Sequence, residues 1–278
     1  MRTHTFLAMG TTVELLVEAE AADDEVFGRV AAEFERLEQV MSRFRPDSEL
    51  SRLNAAGTLD VSPDLAEVVE LALEARERTG GAFDPTVHDA VVGAGYDRTF
   101  DEVPAERDGA PEPAACMGQV VLSGRRISIE PGFRLDLGGI GKGFAAERAA
   151  ELLALAGPSL VSAGGDVAVR GVPAQGTWPV AVDATLTLGL DRGGLATSGR
   201  DRRRWRRGGA DLHHLIDPAT GRSSTTDLVR VTAIGSDAVD AEVLAKTLLI
   251  SGFGAALAAE VPAVLVADDG RTIRVGGL

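Results

Sequence analysis

The stretch from Arg134 to Gly171, RLDLGGIGKGFAAERAAELLALAGPSLVSAGGDVAVRG, constrains the fold more than any other part of the chain. A short apolar run, read as a strand, ends at Asp136. Gly138, Gly139, Gly141 and Gly143 follow, with Lys142 among them. The spacing predicts a helix from about Gly141 to Ala156 that buries Ala145, Ala149, Leu152 and Leu153. A strand ending in Gly164-Gly165-Asp166 comes next. Glycines let backbone approach a ligand and adopt positive φ. A helix starting behind such a loop offers free N–H groups suited to phosphate. One strand–helix–strand unit could bring both loops to a single edge. Each loop also has a plainer reading, a tight turn packed for steric reasons. Neither common phosphate fingerprint fits, because Gly143 follows Lys142 where a P-loop needs Ser or Thr, and the glycine spacing is wrong for a dinucleotide loop.

The rest of the chain is placed around this unit. Thr3 to Glu18 reads as a strand pair or bulged strand interrupted by Met9-Gly10-Thr11. Val26, Val30, Phe34, Leu37 and Met41 recur at helical period from Asp24 to Met41. Ser48 caps a short helix through Leu53, and Ser62-Pro63-Asp64 starts another that stops at Thr79-Gly80-Gly81. Residues 93–118, rich in Gly, Pro and charge, read as a surface excursion. Val120 to Ile129 reads as a hairpin around Ser123-Gly124. After Gly171 come short strands at Trp178 to Asp183, Thr185 to Leu190, Gly194 to Ser198 and Leu212 to Ile216. A last pair, Val229 to Ile234 and Val261 to Val266, brackets a helix from about Val239 to Ile250. With few strict βαβ alternations and no linker, the fold class is α+β, with mixed or antiparallel sheets and flanking helices in one compact domain over residues 1–278.

Net charge is −14, which argues against general binding to nucleic acid or an anionic membrane. Any phosphate site must be built locally. Cys116 is the only cysteine, so no intrachain disulfide forms. The opening residues lack a long apolar h-region and no run is long enough to span a bilayer, so the expected location is cytoplasmic, with no membrane insertion.

Of 28 basic residues only Lys142 and Lys246 are lysine. A compact, flexible point charge is a role arginine fills poorly. His214, beside His213, is a candidate general base, because imidazole titrates near neutral pH. The plainer reading has one of the pair buried and the other facing solvent. Arg200 to Arg207 is a basic run read first as a solvated hairpin tip, with Trp205 as a weaker candidate for stacking on a base. Glu242 and Lys246 stand four apart on the last helix. They form either an ordinary i,i+4 pair or two groups pointing into a ligand site.

Together these segments resemble the ApbE-type flavin transferases, the FAD:protein FMN transferases. Met9-Gly10-Thr11 resembles the family's opening MGT, and Phe44 with Ser48-Glu49-Leu50-Ser51-Arg52-Leu53-Asn54 its S-x-Y…SELSRLN segment. Gly81-Ala82-Phe83-Asp84-Pro85-Thr86-Val87 resembles GAFD-x-TV, Leu135 to Ala146 resembles DLGGIAKGYA, and Ala163 to Asp166 resembles N-x-GGD. Ala196-Thr197-Ser198-Gly199 and His214 to Gly221 resemble ATSG and HIIDPRTG. The resemblance implies transfer of FMN from FAD to a Thr or Ser hydroxyl of an acceptor protein, with release of AMP and with Mg²⁺ on the pyrophosphate. It assigns Met9, Phe44, Ala82, Phe83 and Asp84 to the flavin end or its linker. Asp136 and Lys142 fall on the nucleotide, Gly164, Gly165, Asp166 and Ser198 on further cofactor contacts, and His214 on the catalytic base.

The metal ligands implied are the Gly139 carbonyl and, on the last helix, an Asp and a Thr. Those two positions hold Glu242 and Lys246. A carboxylate suits Mg²⁺ and an ammonium does not. Three readings stand at this point: a transferase in which Lys246 supplies the metal's charge, an FAD-binding protein with weak or lost transfer, or an FAD pyrophosphatase.

Overall fold

A computed structural model describes residues 1–19 and 24–278. Its main sheet has eight strands, all pairs antiparallel, and sheet order is chain order. The strands are β1 (Arg2–Ala8), β2 (Thr11–Val17), β3 (Ser159–Ala163), β4 (Asp166–Arg170), β5 (Gly194–Gly199), β6 (Leu228–Gly235), β7 (Ala263–Ala267) and β8 (Thr272–Val275). β8 has no counterpart among the expected strands. Alternation divides the core, as the pleat requires. Ala168 of β4 packs into the main cluster with Val161, while Val167 and Val169 pack with Trp178 on a separate one.

The helices are insertions between strands. Between β2 and β3 come α1 (Asp24–Met41), α2 (Glu49–Ala56), α3 (Pro63–Arg78), α4 (His88–Ala94) and α5 (Gly141–Leu153). The predicted stripe of α1 is buried in full, from Val26 to Met41. Side chains of this kind each contribute roughly 1.5–3 kcal/mol when removed from water. Ser48 Oγ accepts the Ser51 N–H and Ser62 Oγ the Leu65 N–H, so both expected caps form. Between β6 and β7 lie α6 (Ala238–Ser251), which packs on β5 and β6, and α7 (Phe253–Ala258). No helix among the described residues is long and apolar enough to cross a membrane.

Three expectations change. The run before Asp136 is not a strand. The Asn54 side chain replaces a ladder partner, its Nδ2 donating to the Leu135 carbonyl at 2.8 Å and its Oδ1 accepting the Leu135 N–H at 2.7 Å. The excursion at 93–118 is more than surface, because Tyr96 is buried with Ala90, Val91, Ala94, Trp205, Leu212 and Ile216. Finally, Trp205 is no stacking platform. It sits on a strand, Arg204–Arg207, paired with Ala210–His213, and its indole N–H donates to the Ala94 carbonyl at 2.8 Å.

The crossing of α5 and α6 depends on Gly143. A Cβ there would lie 2.6 Å from the Ala238 carbonyl oxygen. The Glu147 carboxylate accepts the Ala238 N–H at 2.6 Å and pairs with Arg170, fixing the start of α6 against α5 and β4.

Candidate active site

Two adjoining cavities, of about 330 and 410 Å³, share Gly138, Lys142, Arg203, His214 and Lys246 in their linings. Volumes of this size are typical of ligand clefts. The first is apolar and aromatic, lined by Met9, Met41, Phe44, Phe83 and Tyr96, with Ala82, Asp84, Asp136 and Gly139. The second is polar, lined by Gly164, Gly165, Asp166, Ser198 and Glu242. Every residue that the sequence nominated for the site therefore borders one cavity or both.

The hairpin between β1 and β2 turns at Met9 and Gly10, whose φ values are 50° and 65°. The left-handed backbone is unusual for methionine and holds it at the cavity. Its N–H donates to Glu38 Oε2 at 3.1 Å. Gly164 and Gly165 take φ of 65° and 105° in the β3–β4 turn. None of Gly138, Gly139, Gly141 and Gly143 has positive φ, and an added Cβ would be crowded at Gly138, Gly139 and Gly143 but not at Gly141.

Lys142, in the first turn of α5, is enclosed by carboxylates. Its Nζ pairs with Asp166 Oδ2, and donates to Glu242 Oε1 at 2.8 Å. The Gly143 N–H donates to Glu242 Oε2 at 2.9 Å. Both acidic side chains are only 4% exposed. Burial opposes the Lys142 charge, yet the two carboxylates outweigh it and hold the ammonium above the ordinary lysine range. Burial, followed by the charge of Glu242, raises Asp166 above the usual carboxylate range. The helix N–H of Gly143 is thus engaged by Glu242, where the sequence suggested a donor free for phosphate.

Lys246 differs from Lys142. It is half-buried, borders both cavities, and has no hydrogen bond or ion pair among the described residues. Its ammonium lies against Gly139, where an added Cβ would collide with Nζ. Burial lowers its pKa, opposed by the charge of Glu242 one turn earlier. The i,i+4 pairing is not made, because Glu242 turns to Lys142 and Gly143 instead.

A divalent ion does not fit these groups. Both Glu242 oxygens are occupied, Asp166 is held by Lys142, and the Lys246 ammonium stands beside Gly139. Among the described residues no group of three or more His, Cys, Asp or Glu is placed to hold a metal. The metal contacts expected of Gly139 and Glu242 are therefore not favoured by the contacts these residues make.

Arg43 is a site residue that the sequence reading missed. Its Nε forms an ion pair with Asp136 Oδ2 at 2.9 Å, and Asp136 Oδ1 accepts the Gly138 N–H at 2.7 Å. The guanidinium carbon sits 4.1 Å from the Phe44 ring centroid and 4.6 Å from that of Tyr96. Its Nη2 is buried without a hydrogen-bond partner among the described residues. Adjacency to Phe44 was its only sequence cue.

The two histidines divide their roles. His213 is buried, its Nε2 facing the Ser224 carbonyl at 3.0 Å and its Nδ1 the Leu215 N–H at 3.3 Å. His214 faces the cavities, and its Nδ1 is buried without a partner. Burial, then the charges of Arg203 and Lys246, push its pKa well below the ordinary value, so the ring is neutral and able to accept a proton. Asp84 borders the cavity but its carboxylate is committed to protein. It accepts from Thr86 N at 3.1 Å, Thr86 Oγ1 at 2.6 Å and Met117 N at 2.7 Å.

The chain matches the ApbE family over residues 9–264. It is 30% identical over 270 residues to the FAD:protein FMN transferase of Klebsiella pneumoniae (strain 342), covering 88% of this chain and 77% of that one. It is 31% identical over 303 residues to that of Treponema pallidum (strain Nichols), covering 93% and 81%. Among solved structures, the ApbE protein of Thermotoga maritima shares its fold with a TM-score of 0.86 at 23% identity, over 99% of this chain and 96% of that one. The flavinyl transferase ApbE of Pseudomonas stutzeri, in apo form, superposes with a TM-score of 0.85 at 25% identity, over 99% and 94%.

Proposed function

The chain belongs to the ApbE family, and from that premise we propose that it is an FAD:protein FMN transferase acting on a Thr or Ser hydroxyl of an acceptor protein. The observation that carries this reading is the shared wall of the two cavities, where Lys142, Lys246 and His214 converge. FAD joins two ring systems through a pyrophosphate. The aromatic cavity suits a ring, and the cationic wall suits the phosphates. Arg43, stacked on Phe44 and Tyr96, offers its unpartnered nitrogen to the same ligand.

The reaction is a phosphoryl-group transfer, which depends on positioning and charge neutralisation. The acceptor hydroxyl oxygen attacks the phosphorus of the FMN half. The bond from that phosphorus to the bridging oxygen breaks, and AMP departs with the bridging oxygen. The hydroxyl proton passes to the neutral imidazole of His214. Lys246 faces the charge that develops on the phosphate oxygens, while Lys142 is held by its two carboxylates. No step is assigned to a metal ion, because the donor set does not fit one.

The test is incubation of the chain with FAD and cell extract. A covalently fluorescent protein band, with AMP released in equal amount, is expected. FMN and AMP without a labelled band would indicate hydrolysis instead. Neither product would sink the reading.

A further inference from the structure

We propose that Lys246 takes the place of a divalent cation in this site, so that the chain binds and cleaves FAD without a metal. The proposal rests on the functional reading above. Its basis is how the charges around the shared wall are distributed. Lys142 is neutralised by Asp166 and Glu242, and Arg43 by Asp136. Lys246 and Arg203 are the cations of this wall with no hydrogen bond or ion pair among the described residues, and of the two only Lys246 lies against Gly139. It borders both cavities, at the point where a ligand spanning them must pass. Its neighbour Glu242, one turn earlier on α6, does not shield it, because Lys142 and the Gly143 N–H engage both of its oxygens.

The local steric arrangement supports the same conclusion. Gly139 has no side chain, and the space beside it is where the ammonium sits. An ion drawn to the Gly139 carbonyl would stand beside a fixed positive charge. A lysine ammonium offers three donors to phosphate oxygens and carries its charge without needing a ligand shell from protein. The enclosing carboxylates serve Lys142 and hold α5 against α6, so the acids of this site are structural partners of a lysine rather than ion ligands.

The experiment measures FAD binding by quenching of flavin fluorescence, and AMP release by chromatography, each in excess EDTA and in excess Mg²⁺. For the unmodified chain both quantities are expected to agree within about twofold between the two buffers. Lys246→Met is expected to weaken FAD binding roughly 10- to 100-fold in EDTA, the range for one lost charge-assisted contact. Lys246→Gln serves as a second neutral variant, and a thermal melt of each establishes that it is folded. A tenfold or greater loss of FAD affinity in EDTA that Mg²⁺ restores would overturn the proposal. So would folded Lys246→Met and Lys246→Gln proteins that bind FAD as tightly as the unmodified chain. AMP release without a labelled acceptor would overturn only the functional reading, whereas FAD binding without AMP release in EDTA would overturn the claim of metal-free cleavage. The absence of FAD binding in both buffers would overturn the two together.

Discussion

Lys142 in the first turn of α5 and Glu242 on α6 meet at 2.8 Å across 100 residues of sequence. Glu242 reaches back with its other oxygen to the Gly143 N–H, so one carboxylate joins the helices by side chain and by backbone. Lys142→Met leaves Asp166 and Glu242 buried with no cation between them. Stability at neutral pH is expected to fall by about 3–5 kcal/mol, the usual cost of breaking a buried ionic set. Burial already raises Asp166 above the usual carboxylate range, and losing the opposing lysine charge raises it further. Its neutral form then favours the fold below the unfolded pKa, and that contribution is lost as pH rises. Urea midpoints should therefore show a deficit that shrinks as pH falls from 7 toward 5.

His214→Asn removes the proposed proton acceptor while keeping a polar side chain at the cavity. Acceptor labelling is expected to fall by roughly 10²–10⁴-fold, the typical contribution of general base catalysis, with FAD affinity within about threefold. The depressed pKa of His214 sets the sign of the pH profile. The ring is active when neutral, so the rate should stay flat through the ordinary histidine range and decline only at more acidic pH. A rate that halves near pH 6.5 would contradict this assignment.

His213 controls stability instead. Burial first, then the Arg200 and Arg204 charges, push its pKa down to about 4, against the Ser224 carbonyl that favours the charged form. A folded pKa below the unfolded value of 6.5 means that the unfolded chain binds the proton first. The contribution is present above pH 6.5 and is lost as pH falls toward 4. It amounts to at most about 3 kcal/mol for a shift of this size. His213→Gln should flatten the stability curve across that window in a chemical-denaturation series.

Alanine at Gly143 and at Gly139 should give opposite signatures. At Gly143 the new methyl meets backbone, the Ala238 carbonyl, and α5 and α6 must move apart. A loss of about 1–3 kcal/mol is expected in urea. At Gly139 the obstacle is the mobile end of Lys246. Stability should change by less than about 1 kcal/mol, while FAD affinity falls because the ammonium is displaced. Equal destabilisation by the two would count against this account of the loop.

Much of the fold was legible because local rules agreed with the tertiary outcome. The stripe of α1, the caps at Ser48 and Ser62, and the glycine stop after Arg78 all depend on neighbours within a few residues. The misreadings depend on distant partners. The run before Asp136 has strand-like sequence, but the Asn54 side chain supplies its hydrogen bonds. Trp205 lies within a basic run that reads as a solvated tip, yet α4 provides the Ala94 carbonyl that buries its indole. Arg43 carries no local cue to its place beyond adjacency to Phe44, and that place is set by Asp136, Phe44 and Tyr96 together.

Sequence alone determined which residue types this site would hold: two lysines in a lysine-poor chain, glycines before a helix, and a His beside a Pro/Gly turn. Tertiary structure decided what each one does. Lys142 and Lys246 are alike as residues, and burial acts against the charge of both. The crossing of α5 and α6 places two carboxylates on the first and leaves the second to the cavities. Charge interactions depend on distance and burial in space, and neither is contained in the spacing of residues along the chain. The glycine stretch was therefore recognisable as part of a ligand site, while the different surroundings of its two lysines became visible only where two distant helices meet.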